Sequence, residues 1–146
     1  MTLINFNFFT RNKLILFSFL TLLSFFLEES KKLCPKPTYY TRLVSLFHHT
    51  ISIYSVFGSI LFKNYVLHSL SIFLAYLGWI ISKDNTCILT VYYNRLCNIP
   101  ENENFKDIFY YLNEKLKIKY FRYILVYFLL FYNFTNIILN TYFKIN

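Results

Sequence analysis

The sequence predicts an all-α membrane protein: a single-domain polytopic bundle of three to four transmembrane helices with one interfacial amphipathic helix. Three observations predict it. The chain of 146 residues is 56% apolar and only 15% charged, too apolar for an ordinary soluble domain. Residues 43–62 and Tyr65–Ile81 are uncharged runs separated only by Lys63 and Asn64, and so short a connection makes antiparallel neighbours. A last apolar run, 123–143, follows Arg122 and is long enough for about 30 Å of hydrocarbon.

The elements follow in chain order. Residues 14–27 are apolar, preceded by Arg11 and Lys13 and followed by Glu28 and Glu29. No small-residue cleavage site follows, so this is a short first span or an uncleaved signal anchor. Residues 28–42 form a polar connector in which Pro35 and Pro37 break any helix. In 43–62, Ser45, His48, Ser52, Ser55 and Ser59 alternate at three and four positions and form one helical stripe. His68, Ser71, Ala75, Gly78 and Ser82 repeat that spacing in the second run. Small and hydroxylic side chains let helices approach closely in lipid. The two stripes are therefore read as a packing seam, with Ser55 opposite Ser71 or Ile72, Ser52 opposite Ala75, Ser45 opposite Ser82, Ser59 opposite His68, and His48 level with Gly78 or Trp79. Residues 105–119 carry Phe105, Ile108, Phe109, Leu112 and Leu116 on one face, the pattern of a helix lying at a membrane surface. In 123–143, Asn133, Asn136 and Asn140 share a face, which should meet protein because amides are costly in lipid.

Composition excludes several classes. The 18 Phe and 14 Tyr belong with Ile, Asn, Lys and Leu to the residues that A+T-rich codons favour, so they are no argument for stacking on bases. The net charge of +8 fits the concentration of Lys and Arg on one side of a membrane. With no folded reader motif, nucleic acid is not an expected partner; the expected partners are membrane lipid and other membrane helices, in a homo- or hetero-oligomer. Four spans would leave Arg11, Lys13, Lys63 and Lys144 on one side and all other basic residues opposite. The richer side is then cytoplasmic, or matrix or stromal in an organelle, and Cys34, Cys87 and Cys97 are expected unpaired there. The flanks of the first span carry similar positive charge and allow the reverse, and in an oxidising compartment one loop disulfide is open to these cysteines. An organelle inner membrane or a viral or host membrane suits this composition.

No nucleophile elbow, phosphate loop or zinc motif is present. Every acid falls in a connector, which leaves no carboxylate to orient a histidine, and no catalytic residue or enzyme activity is expected. No cofactor or metal is expected either. A bis-histidine haem needs two imidazoles at one depth, whereas the hairpin register puts His48 and His68 roughly 15 Å apart. The residues that converge at one end of the hairpin are His48, His49, Trp79, Cys87 and Thr90; they form the candidate polar cluster.

The order His48, Gly58, His68, Trp79, then Cys87-Ile88-Leu89-Thr90 and Asn94-Arg95-Leu96, resembles a family of small four-helix membrane proteins of unknown function. Their pattern is a histidine, a glycine, a second histidine, a tryptophan and then C-P-L-T-x-x-E-N-x-L-R. Cys87, Leu89, Thr90, Asn94 and Leu96 match the closing motif, while Ile88 replaces its proline, Tyr93 its glutamate and Cys97 its arginine. The resemblance covers residues 48–97 and implies the four-helix architecture without an activity. The loss of the glutamate removes an acid that could have partnered a histidine. Apart from the resemblance, 87–90 could fold back as a cap on the bundle, with Thr90 capping a helix that begins at Val91. The expected role is a structural or accessory subunit of a membrane complex; the alternative is a small proton or ion conductor that uses His48, His49 and His68.

Overall fold

The computed structural model describes residues 8–82, 86–100 and 121–142. Helix α1 spans Phe8–Glu29, α2 Tyr39–Phe62, α3 Tyr65–Ile81, α4 Ile88–Leu96 and α5 Phe121–Tyr142. The described residues contain no strand. The amphipathic helix expected over 105–119 lies outside them.

Local chemistry sets the boundaries. Behind Pro37, Thr38 opens α2 with a reciprocal capping box: its hydroxyl accepts from the Thr41 amide and Thr41 returns the bond to the Thr38 amide. The α2 helix closes at Lys63, whose left-handed backbone (φ 55°) donates its amide to Ser59 O. Asn64 then caps α3, its Oδ1 accepting from the Leu67 amide at 3.1 Å. The two polar residues between the apolar runs are therefore the whole turn. Expected and observed bounds of α3 coincide, whereas α1 extends past both ends of 14–27 and ends only at Glu29.

The four long helices run antiparallel in succession, α1 on α2, α2 on α3 and α3 on α5. Phe17 meets Tyr54 and Phe62 at one end of the α1–α2 contact while Glu28 meets Ser45 at the other. Tyr65 pairs with Tyr132, and Tyr76 with Tyr123, along α3 and α5. Ile72, Trp79, Val126 and Leu129 form the apolar core of the α3–α5 contact. Two helical stretches, Tyr39–Phe62 and Tyr123–Tyr142, are long and apolar enough to cross a membrane.

Helix α4 folds back onto α2 and α3, as the cap expected from 87–90. Thr90 is not its capping residue: the helix begins at Ile88, so Thr90 falls inside the first turn and is buried. The cysteine expectation is corrected too. Cys34 in the connector and Cys97 at the end of α4 are joined by a disulfide, with Cα atoms 5.1 Å apart. Spacing along the chain carried no sign of this, because the pairing depends on α4 turning back over the α1–α2 connector.

Candidate functional site

The polar interior has two centres. The first lies where α1 ends and α2 begins. Thr21, Ser24 and Glu28 recur at three and four positions along α1 and so share the face turned to α2. On α2, Ser45 and His49 are one turn apart. Glu28 Oε1 accepts from Ser45 Oγ at 2.9 Å, and Oε2 accepts from His49 Nε2 at 2.6 Å. The other imidazole nitrogen, Nδ1, lies 2.7 Å from Ser24 Oγ. A carboxylate only accepts, so His49 Nε2 carries a proton, and in the neutral form of the ring Nδ1 is then the acceptor for the Ser24 hydroxyl. The order is serine, imidazole, carboxylate, with Glu28 and His49 both buried and Ser24 half-buried.

A third element closes this centre. Tyr93 of α4 packs with the Cys34–Cys97 bridge, near Glu28. Burial raises the Tyr93 phenol well above its ordinary pKa, and the charges of Glu28 and Glu29 raise it further. Glu28 follows the apolar run 14–27. Burial alone would raise its carboxyl, but the hydrogen bonds from His49 and Ser45, together with the positive charge of the imidazole when it is protonated, outweigh that and lower it. Nearby, the half-exposed Arg42–Glu29 pair at 3.3 Å adds little.

The second centre is His68, fully buried. Its Nε2 donates to Ser55 O at 3.0 Å, which leaves Nδ1 to accept from Asn133 Nδ2 at 2.9 Å. The second Asn133 proton goes to Ser69 Oγ at 3.0 Å. Each polar atom of the imidazole thus has one partner and one role. Ser59, the expected partner of His68, is buried, but its hydroxyl makes no hydrogen bond. The imidazole instead lies over Gly58, where an added Cβ would come within 2.8 Å of His68 Cδ2.

No family model, no curated protein and no solved structure matches this chain. The site therefore rests on its own geometry.

The residues singled out from sequence divide between these surroundings. His48 and His49 are both buried, with ring centroids 5.5 Å apart, and His49 turns to α1. Trp79 belongs to the α3–α5 core, with Cys87 half-buried against it. Thr90 is buried in α4, and its hydroxyl makes no hydrogen bond. Along the seam, Ser55 and Ser71 do meet, at 3.3 Å between hydroxyls; Ser45 turns instead to Glu28. Gly78 lets Ile88 of α4 approach closely. Ser52 is half-buried on α2, as Ala75 is on α3 beside the α3–α5 core.

The asparagine stripe is corrected: only Asn133 enters the interior. Asn136 donates to the Tyr132 carbonyl of its own helix, and Asn140 is exposed beside the Lys63–Asn64 turn. The three share a face within about 60°, but Asn133 already lies level with the first turn of α3, so Asn136 and Asn140 run past the start of their partner helix.

Sequence reasoning also missed Glu28, Ser24 and Tyr93. The signal for the first two was present, since Thr21, Ser24 and Glu28 form a polar stripe in an otherwise apolar run. Assigning Glu28 to a connector hid it. Tyr93 comes near Glu28 only because α4 folds back, and no local pattern shows that. The void between Ser55, Ala75, Trp79 and Leu125 measures about 20 Å³, room for a water and no larger ligand. Among the described residues no three His, Cys, Asp or Glu side chains gather to hold a metal.

Proposed function

We propose that this chain is a multi-pass integral membrane protein, a helical bundle serving as a structural or accessory subunit of a membrane complex. One observation carries the reading: beside a small apolar core, the described helices bury many polar side chains and leave large apolar ones exposed. His68 and Asn133 are 0% exposed, whereas Phe19 is 58%, Phe26 61% and Phe131 71% exposed. In water this arrangement would leave an extensive apolar surface uncovered. In lipid, partnered polar groups such as His68 and Asn133 give antiparallel helices a reason to associate. The four-helix resemblance over 48–97 points the same way. The Cys34–Cys97 bond favours an oxidising compartment for the α4 end, although that end carries many of the basic residues.

The test is purification from the native membrane in mild detergent, with native mass and protein composition measured together. A defined hetero-assembly is the expected result; a lone monomer in lipid would overturn the subunit role.

A second reading, proton handling, is favoured by the buried Glu28–His49 pair. An ionisable pair at the edge of a membrane span is a functional candidate by default. In proteoliposomes this reading expects pH-driven proton flux that Glu28→Gln abolishes. Equal flux in both proteins would remove it.

A further inference from the structure

We propose that Ser24, His49 and Glu28 form a serine-nucleophile site for acyl esters of membrane lipids, with Thr21 as oxyanion donor. The constellation needs a serine within reach of an imidazole that a carboxylate orients. Here the two contacts are 2.7 Å and 2.6 Å, on opposite nitrogens of one ring. Glu28 fixes the tautomer that leaves Nδ1 free to take the serine proton. Ser45 holds the other oxygen of Glu28.

Thr21 supplies an independent observation. It is 5% exposed, one helical turn from Ser24 on the same face of α1, and its hydroxyl makes no hydrogen bond. A buried, unspent donor is costly unless something uses it. A tetrahedral oxyanion forming at Ser24 would be such an acceptor.

The substrate class follows from depth, and this part rests on the membrane reading above. Glu28 and Glu29 mark the edge of the first apolar run, and Ser24 lies about 6 Å further along the helix. That is the level at which acyl chains join their headgroups. Leu23 and Leu27, 43% and 58% exposed, flank the half-buried serine with apolar surface suited to acyl chains.

The chemistry balances within these residues and water. Ser24 Oγ attacks the ester carbonyl carbon as its proton passes to His49 Nδ1, and Thr21 donates to the oxyanion. The bond to the alcohol oxygen breaks, and His49 returns the proton to the departing alcohol, leaving an acyl-serine. Water, deprotonated by His49, repeats the sequence, releasing the carboxylic acid and regenerating Ser24.

The full-length protein in detergent is treated with a fluorophosphonate probe, and the modified peptide is located by mass spectrometry. Stoichiometric modification of Ser24 is expected in the unsubstituted protein, a readout independent of whether any variant folds. His49→Gln should slow labelling by roughly 100-fold or more, Thr21→Val should slow ester turnover by roughly 100-fold, and Ser52→Ala should change neither. Absence of label at Ser24 overturns the nucleophile whatever the protein's membrane role. Label at Ser24 without hydrolysis of phosphatidylcholine vesicles overturns the lipid substrate. Label at Ser24 in a protein that stays soluble without detergent would sink the membrane reading while leaving the nucleophile intact.

Discussion

His68 shows how a histidine can be wholly committed to packing. Its Nε2 is spent on the Ser55 carbonyl and its Nδ1 on Asn133, with Gly58 making room for the ring. Two predictions belong at this scale. Asn133→Leu removes the donor to both His68 and Ser69 while keeping apolar bulk, which strands a buried ring nitrogen. The expected loss is about 1–3 kcal/mol, read as a lower melting temperature in detergent. Gly58→Ala brings a methyl within 2.8 Å of His68 Cδ2 and 3.0 Å of the Tyr54 ring. The ring is fixed by two hydrogen bonds and cannot swing aside, so overpacking of roughly 1–3 kcal/mol should outweigh the ~1 kcal/mol that alanine gains in a helix. The variant should melt earlier, and a Gly58→Ala protein as stable as the parent would show that His68 is looser than its contacts imply.

Among the elements, α4 depends most on something beyond its own sequence. It has nine residues, too few for an isolated helix to persist, and no side chain caps its start. Packing on α2 and α3 and the bond to Cys34 hold it in place. Cys97→Ser should therefore destabilise the fold by roughly 2–4 kcal/mol, with faster hydrogen exchange in 88–96 than in α3. Exchange unchanged in α4 would show that packing alone suffices. This contrast also explains what could be read from sequence. The α2–α3 hairpin was legible because Lys63 and Asn64 interrupt two long uncharged runs and fix the Ser55–Ser71 register. The Glu28–His49 pair was not, because it joins residues across a connector whose path no local pattern specifies. Asn136 and Asn140 misled for another reason: residues sharing a stripe need not all find a partner helix.

At the scale of the molecule, part of the stability rests on buried polar contacts such as Glu28 with His49 and Ser45. Glu28 has a native pKa below its ordinary 4.5, so ionised Glu28 favours the folded state. That contribution is complete above the unfolded value and is lost as pH falls through the lower native one. Stability in detergent should therefore decline from about pH 4.5 downward. Glu28→Gln should flatten the decline and lower the plateau above it. Parallel acid curves for the two proteins would mean that other carboxylates govern acid unfolding.

The Cys34–Cys97 bond has a topological consequence. The residues it joins are 63 positions apart, so the bond closes a covalent ring that contains the whole α2–α3 hairpin and leaves α1 and α5 as arms outside it. The ring can close only after α4 has been synthesised. Under the multi-pass reading proposed above, it also requires an even number of crossings between the two cysteines, since an odd number would keep the thiols on opposite faces. On that reading a non-reducing gel separates chains with an odd number of crossings, whose thiols stay unpaired, from chains that closed the ring.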